Sequence, residues 1–584
     1  MKRLHETHGT EFELMRHFFA RMLDGEWSST PGQWQNVAVG AFALLLPASV
    51  LLTRAGSLNQ GKYRLLSRLA TPEPFRAAVL ADELGLLTLL LAVTGLIALI
   101  QWQNLFPSRR DYLSLAGLPV RSSQIFLARF GTVLLFSTAL VIAMNLFPSV
   151  VAPLEFGGRW QQNPSLPANI GAQAVSAGLG CVFVLFSMVA LQGVLLNTLS
   201  GKWFTRVSTY VQGVLIGVLI LTGLYSWQIR DWAPGAVRPI LHASAWFPPV
   251  WFAGLHEQIL GDPDPFFHRM AARALIAALA AFTLTVLAYL ISYRRARKLL
   301  IEAPVHIEVP RKRQWSVLNL LSRDPQQQAI LQFMAKTLAR SRAHRVIWMA
   351  YAGAAIGIVL NSSLIDGAFF SKTNALTKAM KFMVLFWPLG TSFVLLSGLR
   401  HVLSIPSELP ANWIFRLTES QGRKQWMSAM ERFVLLYAIA PIYVLMFPMA
   451  LSVLGWPLAL RMTVQEVLVS LIIFDLLFNG WQQLPFTCSY APGNRPLVMV
   501  VAGYFAILSM LMPLVTLIVR AGAEFNGLFL VYCPLFLAAW IWARRRRLEG
   551  WGESKLMYDD IPEGLPDLGI RDMTWKHIRH KEAH

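Results

Sequence analysis

Residues 83–102, ELGLLTLLLAVTGLIALIQW, form an apolar run long enough to cross the hydrocarbon core of a bilayer. Similar blocks, each of about 18 to 28 residues, recur along the 584-residue chain. The chain is 55% hydrophobic and 14% charged, with a mean hydropathy of +0.47, whereas a soluble protein carries about a quarter charged residues. The short alternating segments of a membrane β-barrel do not dominate. The sequence therefore predicts an all-α polytopic membrane protein.

Twelve spans are predicted, with the N- and C-termini on the cytoplasmic side. Lys and Arg concentrate in the segment 294–345 and in ARRRR at 543–547, and such residues favour the cytoplasmic side. The loop 54–82 disagrees, because it carries five basic residues and is predicted to lie outside. The predicted spans are 36–53, 83–102, 126–147, 171–198, 208–226, 272–292, 346–361, 380–398, 433–455, 464–480, 496–518 and 527–543.

The basic segment 294–345 divides these spans into two halves of six. A faint internal repeat supports the division. Each half contains an apolar residue followed by Pro-Ser, with the proline at position 107 in the first half and 406 in the second. Each half also has a basic residue, Arg121 or Lys424, eight positions before an Arg-Phe pair. The predicted parts are an amphipathic N-terminal segment (1–35), the first half (36–293), the linker (294–345), the second half (346–543) and a cytoplasmic tail (544–584).

The N-terminal segment EFELMRHFFARMLDGEW is predicted to contain an amphipathic helix. Phe12, Met15, Phe19 and Met22 follow one helical stripe, while charged residues occupy much of the remainder. Two interpretations fit this pattern equally. The helix lies in the membrane interface, or it packs against a cytoplasmic partner.

The string RAGSLNQGKY, residues 54–63, matches the G-x-x-x-x-G-K spacing of a nucleotide-binding P-loop. Tyr63 occupies the position where a P-loop has Ser or Thr to hold magnesium, and a predicted span precedes the string instead of a buried strand. The acidic end of VLADE, at Asp82 and Glu83, leads directly into a span. We interpret the glycines as turn residues and expect no ATPase site in this chain.

The remaining composition favours neither an enzyme nor a nucleic-acid-binding protein. The net charge of +20 is typical of cytoplasmic loops and headgroup contacts, and no aromatic-basic surface accompanies it. The three scattered cysteines indicate neither disulfides nor a metal site, and no metal-binding histidine motif occurs. Asp475 is the deepest acidic residue and a candidate ion relay. An interhelical hydrogen bond is the preferred interpretation, because no His or Arg partner is evident.

The stretch LFPSRRDYLSLAGLPVRSSQIFLARF resembles the loop between the second and third spans of ABC-2-type exporter permeases, and SELPANWIFRLTE resembles its equivalent in the second half. In that family the loop docks on a separate ABC ATPase, which binds ATP and magnesium, so the resemblance implies no cofactor in this chain. It also implies a bacterial cytoplasmic-membrane location and an exported substrate that the sequence does not identify. The implied docking residues, within 105–121 and 405–424, are Pro107, Arg109, Arg110, Asp111, Tyr112, Arg121, Pro406, Glu408, Trp413 and Arg416.

The main alternative is a secondary transporter of twelve spans driven by an ion gradient. Such a protein is expected to have acid–base pairs and broken helices near the membrane midplane. The sequence shows Asp475 alone, and its loop between spans two and three lacks the spacing of the major facilitator motif. A scaffold that transports nothing is a third hypothesis.

Overall fold

A computed structural model describes residues 11–19, 60–106, 122–156, 159–199, 201–230, 232–302, 324–365, 375–407, 423–481, 483–487, 503, 507 and 511–553. The regular secondary structure in these ranges is helical. The contacts divide the chain into two compact units. One consists of Met1–Lys312 and Met349–Met383, and the other of Arg313–Trp348 and Val384–His584.

Nine helices are described between residues 11 and 302 of the first unit. They are α1 (11–19), α2 (Gln60–Leu66), α3 (Glu73–Ile100), α4 (Ser122–Glu155), α5 (Leu166–Thr198), α6 (Gly201–Arg230), α7 (Pro234–Ala243), α8 (Pro248–Leu260) and α9 (Pro265–Glu302).

Eight further helices follow in the described part of the chain after residue 324. They are α10 (Pro325–Arg340), α11 (Arg342–Ile365), α12 (Ala375–Leu403), α13 (Arg423–Val434), α14 (Ala440–Leu454), α15 (Trp456–Leu477), α16 (Met512–Glu524) and α17 (Asn526–Glu553). A short π-helical stretch, Leu435–Ile439, joins α13 to α14. The unit boundaries fall inside α11 and α12.

Seven helical stretches within the described ranges are long and apolar enough to cross a membrane: Glu73–Ile100, Ser123–Glu155, Leu166–Thr198, Arg206–Arg230, Pro265–Tyr293, Gln425–Leu454 and Asn526–Glu549. The corresponding seven predicted spans, which begin at residues 83, 126, 171, 208, 272, 433 and 527, are therefore confirmed as helices of this kind. The chain is an all-α protein of the multi-pass membrane type.

The other five predicted spans stay predictions. Those at 346–361, 380–398 and 464–480 fall mainly on α11, α12 and α15, which are helical but are not among the seven. The span at 36–53 lies outside the described residues, and 496–518 is described only in part.

Helix α3 forms the centre of the first unit because its sequence is apolar on every side. In its spanning stretch 78% of the residues are buried, against 33% for α9 in the same unit. Polar side chains join it to its neighbours. The Thr94 hydroxyl donates to Cys181 Sγ of α5 at 3.3 Å, and Gln212 Nε2 of α6 donates to the Leu99 carbonyl at 2.8 Å. Such interhelical hydrogen bonds satisfy polar groups that would find no hydrogen-bond partner in hydrocarbon.

Glycine contacts bring α11 into the first unit. Gly217 of α6 faces Gly353 of α11 so closely that a Cβ on Gly353 would lie 2.6 Å from the Gly217 Cα. One turn earlier along α6, Gly213 faces Met349. Small residues at this spacing let membrane helices approach each other. This packing places residues 349–383 in the first unit, although the predicted second half begins at 346.

The second unit has its own apolar core. Its fully buried side chains include Leu331 of α10, Leu399 of α12, Phe433 of α13 and Phe474 of α15. Helices α10 and α13 pack together, and α15 packs along α14, α16 and α17. At the start of α10, Asp324 caps the helix by accepting a hydrogen bond from the Gln326 N–H at 2.9 Å.

The buried side of the N-terminal helix lies outside its predicted apolar stripe. Helix α1 buries Leu14 and Phe18, whereas Phe12 is 65% exposed and Met22 lies outside the described residues. The reason is that α1 packs on α4 of its own chain, where the Thr132 hydroxyl donates to the Met15 carbonyl at 3.3 Å. The contact is therefore intramolecular.

Candidate coupling loops and buried ionisable clusters

The predicted docking residues lie almost entirely outside the part of the chain that the structure describes. Pro406 is described and is half-buried at the end of the segment that follows α12. The others belong to the undescribed segments 107–121 and 408–422: Pro107, Arg109, Arg110, Asp111, Tyr112, Arg121, Glu408, Trp413 and Arg416. The described residues that flank these segments are nevertheless informative.

The chain before the first predicted docking loop is fixed to three other helices. The buried Trp102 donates from its indole N–H to the Ser208 hydroxyl of α6 at 2.8 Å, and its carbonyl accepts from Gln192 Nε2 of α5 at 2.6 Å. The Tyr289 hydroxyl of α9 donates to the Leu105 carbonyl. The residues directly before the first loop are therefore fixed in place by these hydrogen bonds.

The helix that follows this loop is also held near its start. Arg129 of α4 is only 2% exposed, and its guanidinium carbon lies 5.0 Å from the ring centroid of Phe18 in α1. This geometry is a cation–π contact, which is stronger when both partners are removed from water. Helix α1 therefore covers the first turns of α4.

The chain before the second predicted docking loop is held in a comparable way. His344 Nε2 lies 3.0 Å from the Ile405 carbonyl, and its Nδ1 lies 2.6 Å from the Ser341 hydroxyl. Phe486 donates from its backbone N–H to the Leu403 carbonyl at 2.8 Å. Its own carbonyl accepts from the Ser407 N–H at 3.0 Å. His344 and Phe486 were not predicted, because nothing local in their sequence indicates this contact.

Phe486 adopts a left-handed backbone conformation, with φ of 66°. A residue with a Cβ is disfavoured there by about 1–2 kcal/mol. Its ring is buried and lies edge-on to His344, with 4.9 Å between the ring centroids. Burial of the ring and the two backbone hydrogen bonds offset the conformational cost, so this turn is fixed by tertiary contacts.

Asp475 is not alone, so the expectation of an unpartnered carboxylate is wrong. Arg547 of α17 donates from Nε to Asp475 Oδ1 at 2.6 Å, and each residue is 1% exposed. Arg547 Nη2 is also 3.6 Å from Glu431 of α13, and Arg544 pairs with that carboxylate at 3.1 Å. The cluster joins α13, α15 and α17. This geometry fits the preferred interpretation of an interhelical bond.

Two residues of the P-loop-like string, Lys62 and Tyr63, are bonded to other helices of the first unit. Lys62 lies inside helix α2, and its Nζ is 3.1 Å from Asp82 Oδ2 of α3. The Tyr63 hydroxyl donates to the same carboxylate. Lys62 also donates to the Arg230 carbonyl at the end of α6, at 3.4 Å. In a P-loop the lysine follows a strand and faces phosphate. Here the lysine and tyrosine attach α2 to α3.

A second ionisable cluster lies at the same end of the first unit. His256 Nδ1 is 3.3 Å from Glu257 Oε1, and both side chains are buried on α8. Glu83 of α3 is fully buried close by, and Gln173 of α5 is 1% exposed. With the Gln162 amide oriented so that its oxygen accepts from the Asp262 N–H, its nitrogen donates to Glu257 Oε2 at 2.9 Å. The sequence analysis missed His256 and Glu257, although an ionisable pair inside WFPPVWFAGLHEQIL is an available signal.

The electrostatics of this cluster favour the protonated form of His256. Burial lowers the pKa of His256, but the carboxylates of Glu83 and Glu257 raise it by more, so the pKa lies above its ordinary value. A cavity of about 50 Å³ adjoins the cluster and is lined in part by Gln173, His256 and Glu257. His256 and Glu257 line this cavity, so water that enters it can exchange protons with both side chains.

The described residues contain no group of three or more His, Cys, Asp or Glu side chains placed to hold a metal ion. Comparison with protein-family models, with curated proteins and with solved structures finds no match for this chain. The resemblance to ABC-2-type permeases therefore depends on the sequence of this chain.

Proposed function

We propose that this protein is the membrane-spanning permease subunit of an ATP-driven exporter of the ABC-2 type. The observation that carries the proposal is the equivalent position of the two loops in the two units. Each loop follows a long helix, α3 or α12, whose end is held by buried hydrogen bonds. Each precedes a helix that packs against its unit near its start, with Arg129 buried in one case and Met427 in the other.

A loop that transmits force must be joined to rigid elements at both ends. If the residues before and after it moved freely, a push from a partner would be absorbed locally. In this proposal a separate ATPase pair closes on ATP and magnesium and displaces segments 105–121 and 405–424. The helices attached to them then move between inward-open and outward-open arrangements.

The proposed location is the bacterial cytoplasmic membrane, with the loops on the cytoplasmic side. The charged residues of the first loop, Arg109, Arg110 and Asp111, would form complementary pairs with the ATPase surface. The transported substrate is not identified by these features.

The test is purification of the tagged full-length chain from its native membrane in mild detergent. A stoichiometric P-loop subunit and vanadate-sensitive ATPase activity are expected to co-purify. Arg109→Glu with Arg110→Glu should release the subunit and abolish the activity, because both charges that face the partner are reversed.

The matched control is Arg545→Glu with Arg546→Glu, an exposed basic pair on α17. This pair should retain both the subunit and the activity. Loss of the partner in the control alone, or purification of the wild-type chain without any ATPase, would overturn the proposal. If the Arg109 and Arg110 variant retains the partner, the docking contact is made by other residues.

Transport driven by an ion gradient is the second candidate, and the cluster of Glu83, His256 and Glu257 favours it. Buried carboxylates beside an imidazole are the groups that proton-coupled transporters use. In proteoliposomes with an imposed pH gradient and no ATP, this alternative predicts proton flux that Glu83→Gln abolishes. The exposed carboxylate variant Glu524→Gln should leave the flux unchanged.

A further inference from the structure

The cavity of about 50 Å³ beside His256 lies where α3, α4, α5, α7, α8 and α9 meet, at the predicted outer end of α3. All of these helices contribute to its lining. Its aromatic lining residues are Phe75, Phe156, Trp160 and Phe267, and its most deeply buried polar ones are Gln173, His256 and Glu257. An apolar wall with a few converging polar groups is typical of a site for a small molecule.

Two hydrogen-bond acceptors in this lining have unused capacity. Gln173 is 1% exposed, and its amide oxygen has no hydrogen-bond partner. Glu257 Oε1 lies 3.3 Å from His256 Nδ1, but a carboxylate offers about four lone-pair sites and can accept further N–H groups. A buried acceptor without a donor is unfavourable. A ligand that suits this cavity must therefore supply hydrogen-bond donors.

The charges of the buried groups favour a cation. Glu83 of α3 is fully buried beside His256, so the carboxyl groups of Glu83 and Glu257 share one imidazole. Arg230 also reaches this end of α3, but it packs on Gly85, where a Cβ would lie 2.9 Å from the Arg230 Cγ. Gly85 is two residues beyond Glu83 and points about 200° away from it around the helix. The buried end of the cavity therefore has a place for one more positive charge.

Two arginines in the lining do not occupy that place. Arg76 and Arg238 are exposed, so water screens their charges. Each also has a partner in the protein. Arg238 Nη1 lies 3.4 Å from Asp264, and Arg76 Nε donates to the Trp160 carbonyl at 3.5 Å. Their guanidinium groups therefore remain at the opening of the cavity.

An alkylammonium ion meets all of these requirements. It carries one positive charge and three N–H donors, and aromatic rings accommodate both a cation and a short alkyl chain. The volume has room for about three or four water molecules, which limits the enclosed part of the ligand to a similar number of heavy atoms. A proton would neutralise a carboxylate but would leave the Gln173 oxygen without a donor.

We propose that this cavity binds the primary ammonium group of a small alkylamine, whose N–H groups are accepted by Glu257 and Gln173. The ammonium belongs either to a soluble amine or to the ethanolamine headgroup of a phospholipid, because both present the same group. The cavity adjoins the ends of apolar helices that are long enough to cross a membrane, where both sources are available. The proposal requires neither docking of an ATPase nor transport driven by an ion gradient.

The test measures binding of radiolabelled ethylamine to the full chain in nanodiscs of phosphatidylcholine and phosphatidylglycerol. Binding should saturate, and unlabelled ethylamine should displace the label. Ethanol lacks the charge and tetramethylammonium lacks N–H donors, so each should compete at least about tenfold less well. Repeating the measurement with phosphatidylethanolamine in the nanodiscs identifies the source of the ammonium. Reduced ethylamine binding indicates the lipid headgroup, and unchanged binding indicates a soluble amine.

Variants test the two acceptors and the cavity separately. Glu257→Gln removes the charged acceptor and Gln173→Leu removes the amide oxygen, so each should weaken ethylamine binding about tenfold. Glu524→Gln, at an exposed carboxylate, is the control and should bind normally. Val79→Phe adds a ring to the lining and should abolish binding, whereas Val93→Phe, on the same helix outside the lining, should retain it. Thermal unfolding without ligand reports whether each variant folds.

Three results would overturn the proposal. The first is no saturable ethylamine binding in nanodiscs that lack phosphatidylethanolamine and in those that contain it. The second is equal displacement by ethanol, which would show that the cavity does not select a cation. The third is unchanged binding in both Glu257→Gln and Gln173→Leu, which would show that the amine binds at another place.

Discussion

Arg547 is withdrawn from solvent and neutralises carboxylates on two other helices, Asp475 on α15 and Glu431 on α13. Removing one partner of a buried ion pair leaves an uncompensated charge, which costs about 3–5 kcal/mol. We therefore expect Arg547→Met to destabilise the protein by about that much, measured as the free energy of unfolding in detergent. Arg545→Met, at an exposed position on the same helix, should cost less than about 0.5 kcal/mol.

The double variant Arg547→Met with Asp475→Leu separates charge from packing. It removes both buried charges, so it should recover a large part of the stability that Arg547→Met loses. A double variant that is less stable than the single one would show that the two side chains act mainly through their other contacts.

His256 gives the first unit a predicted pH dependence. A histidine whose pKa is raised on folding contributes stability below its unfolded pKa of about 6.5 and loses it as the pH rises through the higher folded value. Between about pH 6 and about pH 9, the thermal midpoint should fall more for the wild type than for His256→Gln. The exposed His268→Gln serves as the control, and equal slopes in all three proteins would contradict the prediction.

Residue-scale features were the hardest to predict from the sequence. The apolar run around Asp475 indicates that this residue is buried. Its partner lies in ARRRR at 543–547, and basic residues at that place are already explained as a signal for the orientation of the chain in the membrane. Only the packing of α17 on α15 selects Arg547 among its neighbours. In the same way, Lys62 fits a P-loop string by spacing, and only the fold shows that it faces Asp82.

At the scale of helices, the contact of Gly217 with Gly353 fixes the distance between α6 and α11. A Cβ on Gly353 would lie 2.6 Å from the Gly217 Cα, so the helices must separate if Gly353 is replaced. We expect Gly353→Ala to cost about 1–3 kcal/mol. The control is Gly171→Ala in α5, where a Cβ meets nothing within 4 Å and a helical alanine should be neutral or stabilising. Thermal unfolding of the two variants makes the comparison.

Helices were more predictable than side-chain partners, because long apolar runs can form little else in a bilayer. Seven predicted spans are confirmed in this way. The burial of Leu14 and Phe18 in α1 was not predictable from the apolar stripe of that helix. Its Leu14 and Phe18 side became the buried one because Arg129 and Thr132 of α4 offer partners there.

At the scale of the whole molecule, each compact unit combines two segments that are separate in the sequence. Residues 349–383 follow the basic linker in sequence but belong with residues 1–312. If the chain is expressed as two fragments, 1–312 and 313–584, the fragments should co-purify in mild detergent. Gly353→Leu should weaken their association, and Gly171→Leu should not, as a pull-down with one tagged fragment can measure. Separation of unmodified fragments would contradict this expectation.

The placement of α11 also constrains the order of events during biosynthesis. A first unit that needs Gly353 and Met349 against α6 is incomplete when the ribosome has finished the linker, because those residues have not yet been made. Until α11 has left the translocon, Gly213 and Gly217 of α6 lack the contacts that Met349 and Gly353 make with them in the folded chain. The newly inserted helices therefore wait in the membrane with one surface uncovered, where a membrane chaperone can bind or quality control can begin.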